Sequence, residues 1–138
     1  MLLSNQILEL IKDLQHKNNM ALILITHDMG IVAGMTDRII VMYAGYVVEE
    51  NRTENLFSQP AHPYTLGLLT SIPRVDKQTD KKLFTIKGTP PNLVNLPDVC
   101  PFYPRCERML PVCKEKMPEL KMITSEHRLA CYNPLWKI

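Results

Sequence analysis

Long hydrophobic runs are missing from this sequence: no apolar stretch approaches the roughly 20 residues that a bilayer-spanning helix requires. The start, Met1 to Lys12, places no basic residues ahead of an apolar core, so no secretory leader is expected and the chain reads as cytosolic and soluble. Glycine is scarce. None of the five stands in a Gly-x-x-x-x-Gly-Lys-Ser/Thr arrangement, the loop whose backbone N–H groups cradle phosphates. Aromatic residues make up only 7%, and few of them interleave with the scattered lysines as base stacking would need, so nucleic acid is not expected as a partner. What is present is the composition of an ordinary globular protein, 46% hydrophobic and 22% charged, in 138 residues: enough for one domain or part of a larger one. The net charge of +2 hides an asymmetry. Residues 1–71 carry 4 Lys/Arg against 7 Asp/Glu, and residues 72–138 carry 12 against 7.

Ile7, Leu8, Ile11 and Leu14 recur at helical spacing, with Ser4 or Asn5 as a possible cap and Asn18-Asn19 as a stop. The next run, Met20 to Thr26, is continuously apolar, the pattern of a strand covered on both faces of a parallel sheet. A helix leading into such a strand implies a crossover unit whose first strand lies elsewhere, as if the sequence began within a fold. Asp28 can cap a short helix from Met29 to Met35. Two β-like runs, Arg38–Tyr43 and Tyr46–Glu50, flank Ala44-Gly45 as in a hairpin. Thr53 is placed to cap a short helix ended by Pro60, and Pro63 suits the first turn of another. His62 is expected to pack that helix start, and the eight methionines to fill core.

From Ile72 onward prolines accumulate, apolar periodicity fades, and all four cysteines appear: Cys100, Cys106, Cys113 and Cys131. A boundary near Ser71 separates residues 1–71 from 72–138. A segment so poor in apolar periodicity gains little from a hydrophobic core, and a metal staple would supply what is missing. Disulfides are disfavoured in a reducing compartment. Zinc is possible although its usual cysteine pairs are closer in sequence. Four thiolates equally suit a [4Fe–4S] cluster. Either centre would be anionic, and Arg105, Arg108 and the basic half would offset that charge. His127 could approach such a centre, but four cysteines already complete its shell.

The second candidate is His27. Ligands of parallel sheets gather beyond the carboxyl ends of strands, and His27 directly follows the expected strand. A histidine there either donates a hydrogen bond to a phosphate or serves only as a satisfied structural residue.

Leu22-Ile23-Leu24-Ile25-Thr26-His27-Asp28-Met29-Gly30 closely resembles the switch-histidine segment of ABC ATPases. Thr36 to Gly45 and Val48-Glu49-Glu50 resemble the strands that follow it. Leu56-Phe57, Pro60, His62-Pro63-Tyr64-Thr65, Leu68-Leu69 and Ile72-Pro73 are similar to the dipeptide/oligopeptide transporter subfamily. Gly88-Thr89-Pro90-Pro91 and Cys100-Pro101-Phe102-Tyr103-Pro104-Arg105-Cys106 resemble its C-terminal extension. Asn51 replaces the glycine usual after the acidic pair, where an asparagine tolerates positive φ.

The resemblance implies an α/β fold. Residues 1–71 would be the C-terminal part of a P-loop ABC ATPase domain, with an incomplete parallel sheet, helices and a hairpin. Residues 72–138 would be a small, irregular, metal-stapled extension. His27 would hydrogen-bond the γ-phosphate of ATP and the attacking water, with Thr26 and Asp28 in support and Mg in the full-length protein. Some members of the subfamily carry a cluster at matching cysteines, which favours [4Fe–4S] over zinc. The implied partners are a second ATPase subunit, permease subunits and, indirectly, a peptide-binding protein, at the inner face of the cell membrane. The phosphate loop, the Gly-Gly-Gln signature and the Asp-Glu strand end are not in the sequence, so no independent ATP hydrolysis is expected. The alternatives are a stand-alone metal-binding interaction module, or the ATPase of an importer of nickel or another small solute.

Overall fold

The computed structural model describes residues 2–72 and 86–137. The chain divides into two compact units, Met1–Thr36 and Asp37–Ile138. The expected boundary near Ser71 falls inside the second, and Pro73 of the family-like motif lies outside the described residues.

In the first unit, α1 spans Leu2–Asn18. It begins ahead of Ser4 and Asn5, so neither is its cap. Its end follows the Asn-Asn signal. Asn19 adopts φ 51°, and the Asn19 and Met20 N–H groups donate back to the His16 and Gln15 carbonyls, satisfying two of the helix's free acceptors. Helix α2, Met29–Met35, is capped by Asp28. Lys12 Nζ donates to the Gly34 carbonyl at 3.1 Å and joins the two helices.

The segment between them is not the expected buried strand. No residue from 20 to 27 pairs in a ladder among the described residues, and Ile23 and Ile25 are 89% and 94% exposed. A strand exists only by hydrogen bonding to a neighbour, and apolar run length cannot provide one.

The second unit is built on a hairpin of β1, Arg38–Tyr43, and β2, Tyr46–Arg52. Ala44 (φ 50°) and Gly45 (φ 85°) form a two-residue loop with both φ positive, matching the twist of the strands. Ile39, Val41 and Tyr43 point inward along β1, while Arg38, Ile40 and Met42 point out. The pairing shifts by one residue between Val41 and Met42, so Val48 is extra in β2. That bulge turns Val48 and Glu49 inward together, which strict alternation would forbid. Asn51 lies within β2 and needs no positive φ.

Helix α3, Thr53–Ser58, starts from Arg52 and not from Thr53 as cap, and α4, Pro63–Thr70, has His62 as cap, its Nδ1 accepting from the Tyr64 N–H at 3.0 Å. The tail then returns to the hairpin. Strands β3, Lys121–Met122, and β4, Arg128–Leu129, extend the sheet in the order β1-β2-β4-β3. Every pairing in it is antiparallel, as the expected hairpin requires, and the 20–26 run takes no part in it. A two-residue connection can join only antiparallel neighbours, and the tail strands follow the same geometry.

The core gathers Ile39, Val41, Val48, Leu56, Ala61, Phe102 and Leu129. Tyr43 meets Tyr64 and Phe102 edge to face, with ring centres 4.7 and 5.2 Å apart. Among the described residues no methionine is fully buried: Met20, Met42 and Met122 are at least half exposed, and Met29, Met35, Met109 and Met117 are half-buried.

A carboxylate lies at the centre. Glu49, fully buried, accepts from the Ala61 N–H at 2.7 Å and the His62 N–H at 2.9 Å, and contacts His127 Nε2 at 2.8 Å. The chain end closes on the same loop: Leu135 N–H donates to the Ala61 carbonyl and Trp136 Nε1 to the Pro60 carbonyl. On the outer face Glu50 bridges Arg38 and Arg128, and the Arg38 guanidinium holds its carboxyl below the usual range.

Glu49→Ala strands two backbone N–H groups and His127 in the interior. It is expected to cost about 3 kcal/mol or more in urea unfolding, with the tail cut by protease before the hairpin. His62 gives the second expectation. Burial lowers its pKa from 6.5 to about 4, so it is neutral in the folded protein. Between those values the unfolded state binds the extra proton. Stability is therefore complete above pH 6.5 and declines as pH falls toward 4, by on the order of 3 kcal/mol. His62→Asn keeps a capping side chain without a titrating ring. Its unfolding free energy should fall less than the wild type's between pH 7 and 4.5, and parallel curves would refute the assignment.

Candidate functional site

His27 sits in the turn that feeds α2. Asp28 Oδ1 accepts from the Gly30 and Ile31 N–H groups at 2.9 and 3.3 Å, and the Asp28 N–H donates to Thr26 Oγ1 at 3.0 Å. The residues on either side of His27 thus hold the backbone, while His27 itself is exposed. The cap expected at Asp28 is present.

The four cysteines belong to the second unit. Cys100 precedes a 3₁₀ turn at Tyr103–Arg105, which Cys106 ends. Cys113 lies in another such turn, Pro111–Lys114, and Cys131 follows β4. Prolines at 104 and 111 open both turns, where a missing N–H costs nothing. Backbone bonds knit the loops together: the Cys100 N–H donates to the Cys113 carbonyl at 3.2 Å, and the Tyr103 N–H to the Cys100 carbonyl at 3.2 Å.

All four are free thiols; Cys100 and Cys113 are buried, and Cys106 and Cys131 half-buried. They lie close enough to act on one another electrostatically. Burial pushes the Cys131 thiol up to about 12, opposed by the Asn133 N–H and reinforced by Cys106, Cys100 and Cys113. Cys100 is raised by burial, opposed by the Phe102 N–H, with Cys113 and Cys106 adding to the rise. Cys106 is raised by burial, against the Arg108 N–H and guanidinium. Such thiols are protonated at neutral pH and make poor nucleophiles; a bound cation is what would deprotonate them.

Four cysteines are the donor type that zinc and iron–sulfur centres take. The side chains do not close on a common point, however: among the described residues no group of three His, Cys, Asp or Glu is arranged to hold a metal ion. His127, weighed as a possible neighbour of the metal, is taken up by Glu49.

Of the two arginines expected to offset thiolate charge, Arg108 acts on Cys106. Arg105 faces elsewhere, bonded to Tyr43 Oη and to the carbonyls of Ile86 and Lys87. Sequence reasoning missed the central role of Glu49. Its only signal was an acidic residue within a β-like run, and the bulge that buries it has no marker in the sequence.

No helix among the described residues is long and apolar enough to cross a membrane. Residues 48–113 match the family described as oligopeptide/dipeptide transporter, C-terminal region. The chain is 42% identical over 130 residues to the oligopeptide transport ATP-binding protein OppD of Salmonella typhimurium, covering 94% of this chain and 38% of that protein. It is 48% and 45% identical over 127 residues to the oligopeptide transport ATP-binding protein AppD and the dipeptide transport ATP-binding protein DppD of Bacillus subtilis, covering 92% of this chain and 38% of each. The chain thus spans about two-fifths of the length of these relatives. Its similarity is therefore to oligopeptide and dipeptide transport ATP-binding proteins, with residues 48–113 matching the C-terminal region described for that transporter family.

Proposed function

We propose that this chain works as the C-terminal portion of the ATP-binding subunit of a dipeptide or oligopeptide importer, with His27 as its switch histidine. The observation that carries this is identity of 42–48% across more than nine-tenths of the chain to proteins named for peptide transport and ATP binding. His27 would donate to the γ-phosphate and orient the attacking water. Phosphoryl transfer depends mainly on positioning and electrostatics, so a single placed donor carries weight. Thr26 and Asp28 would serve by fixing the turn, and the exposure of His27 leaves its ring accessible. ATP and Mg would be held by parts absent from this sequence, so the chain alone is proposed to be hydrolytically silent. A second ATPase subunit and permease subunits would be its partners, at the inner face of the membrane.

Cys100, Cys106, Cys113 and Cys131 are proposed to hold one metal centre, a [4Fe–4S] cluster in preference to zinc. The support is the occurrence of four unbridged thiols within residues 100–131, in loops with little apolar core of their own. A bound centre would supply folding energy to that segment.

Grafting this chain in place of the matching 38% of OppD from Salmonella typhimurium tests the first proposal. Peptide uptake should be restored, and His27→Ala should reduce it about a hundredfold, the loss typical of one transition-state donor. Undiminished uptake by the variant would refute the role of His27. The second is tested by anaerobic purification, metal analysis and visible absorption, with Cys→Ser variants alongside. About four iron and four sulfide per chain are expected. One zinc without colour would overturn the cluster and keep the site. No metal, with the tail still protease-resistant in reductant, would overturn both.

A further inference from the structure

Beside the cysteine loops, with which it shares Arg108, a cavity of about 160 Å³ opens between α4 and the loops of the second unit. Pro63, Leu66, Phe102 and Leu135 form apolar wall, and Lys87, Arg105, Arg108 and Glu107 bring charge to it. The charges do not cancel. Glu107 pairs with Lys87 at 3.3 Å, and neither Arg105 nor Arg108 has a carboxylate partner among the described residues.

Arg105 is also held in place. Its Nε donates to the Lys87 carbonyl at 2.9 Å, one terminal nitrogen to the Ile86 carbonyl at 3.1 Å, and the other to Tyr43 Oη at 3.2 Å. All three acceptors are neutral, so they fix the guanidinium without discharging it. Gly88, at φ +78°, lets the 86–88 loop turn close to the Arg105 side chain. Arg108 is anchored similarly, to Asn133 Oδ1 at 3.2 Å and the Pro134 carbonyl at 2.9 Å. Each guanidinium has five N–H donors, so both keep donors beyond those their anchors use.

We propose that this cavity binds a small apolar monocarboxylate, its hydrocarbon part against Leu66, Phe102 and Leu135 and its carboxylate on Arg105 and Arg108. Apolar walls with a few fixed polar groups are what a small-molecule site requires. A planar guanidinium held in advance loses little freedom on meeting a carboxylate. Apolar contact alone would admit neutral molecules, and charge alone would admit inorganic anions; only the combination selects an amphiphilic acid.

The test is amide NMR of the full chain titrated with phenylacetate, with phenylacetamide and inorganic phosphate as controls. Saturable shifts are expected at Leu66, Phe102, Arg105 and Leu135, with both controls at least about tenfold weaker, the cost of one charged hydrogen bond. Arg105→Gln should remove binding. Because Arg105 also braces the 86–88 loop, Arg108→Gln on the exposed side serves as the second variant and should weaken binding about tenfold. Equal binding of phenylacetamide, equal binding of phosphate, no saturable shift at these residues, or an unaltered Arg108→Gln protein would each overturn the proposal.

Discussion

A carboxylate sealed from water must be met by donors, and in this protein that requirement organises the second unit. Glu49 is turned inward on β2 between Val41 and Leu129, its neighbours on the two adjoining strands. Its oxygens take the N–H groups of residues 61 and 62 and the ring of His127. Three regions distant in sequence are thereby held to one point: the hairpin, the entry to α4, and the tail. An apolar contact tolerates sliding, whereas a buried charge accepts only a narrow set of partner positions. The Pro60–Ala61 carbonyls, which receive the last described residues of the chain, reinforce the same junction.

This junction also explains how so irregular a tail is ordered. Between residues 86 and 120 there is neither strand nor α-helix, only two 3₁₀ turns opened by prolines. The order comes from outside that stretch. Phe102 packs into the Tyr43–Tyr64 cluster, Arg105 ties the 86–87 carbonyls to Tyr43, and β4 adds to the edge of β2. The cysteines ride on loops positioned by these contacts, and at Cys100 and Cys131 burial outweighs the N–H groups that oppose it and raises the thiol pKa. Separating Arg105 from the thiols leaves two different electrostatic neighbourhoods on adjacent loops. Arg108 belongs to both, acting on Cys106 and lining the cavity beside Arg105.

Features set by a few adjacent residues were legible in the sequence. The Ala44-Gly45 turn, the Asn19 helix stop, the Asp28 cap, Pro63 at a helix start and the packing role of His62 depend on backbone sterics and hydrogen bonds within four or five positions. The family likeness was equally readable, because it rests on residue identity. The buried strand at 20–26 and the cap at Thr53 were misjudged. A strand needs a partner strand, and an apolar run shows only that one would be favourable. Thr53 is buried at the start of α3, and Arg52 takes the cap position.

Local chemistry in the chain therefore determined where it turns and where its helices stop. Only tertiary structure decided that Glu49 and not Glu50 is buried, that His127 serves a carboxylate, and that Arg105 turns away from the cysteines. A one-residue bulge reverses which of two adjacent glutamates faces the core. The partners that make that reversal stable lie 12, 13 and 78 residues away. No pattern confined to a short window can encode a contact whose energy depends on chain so far off, because the cost of burying the charge is offset only once all three partners have arrived.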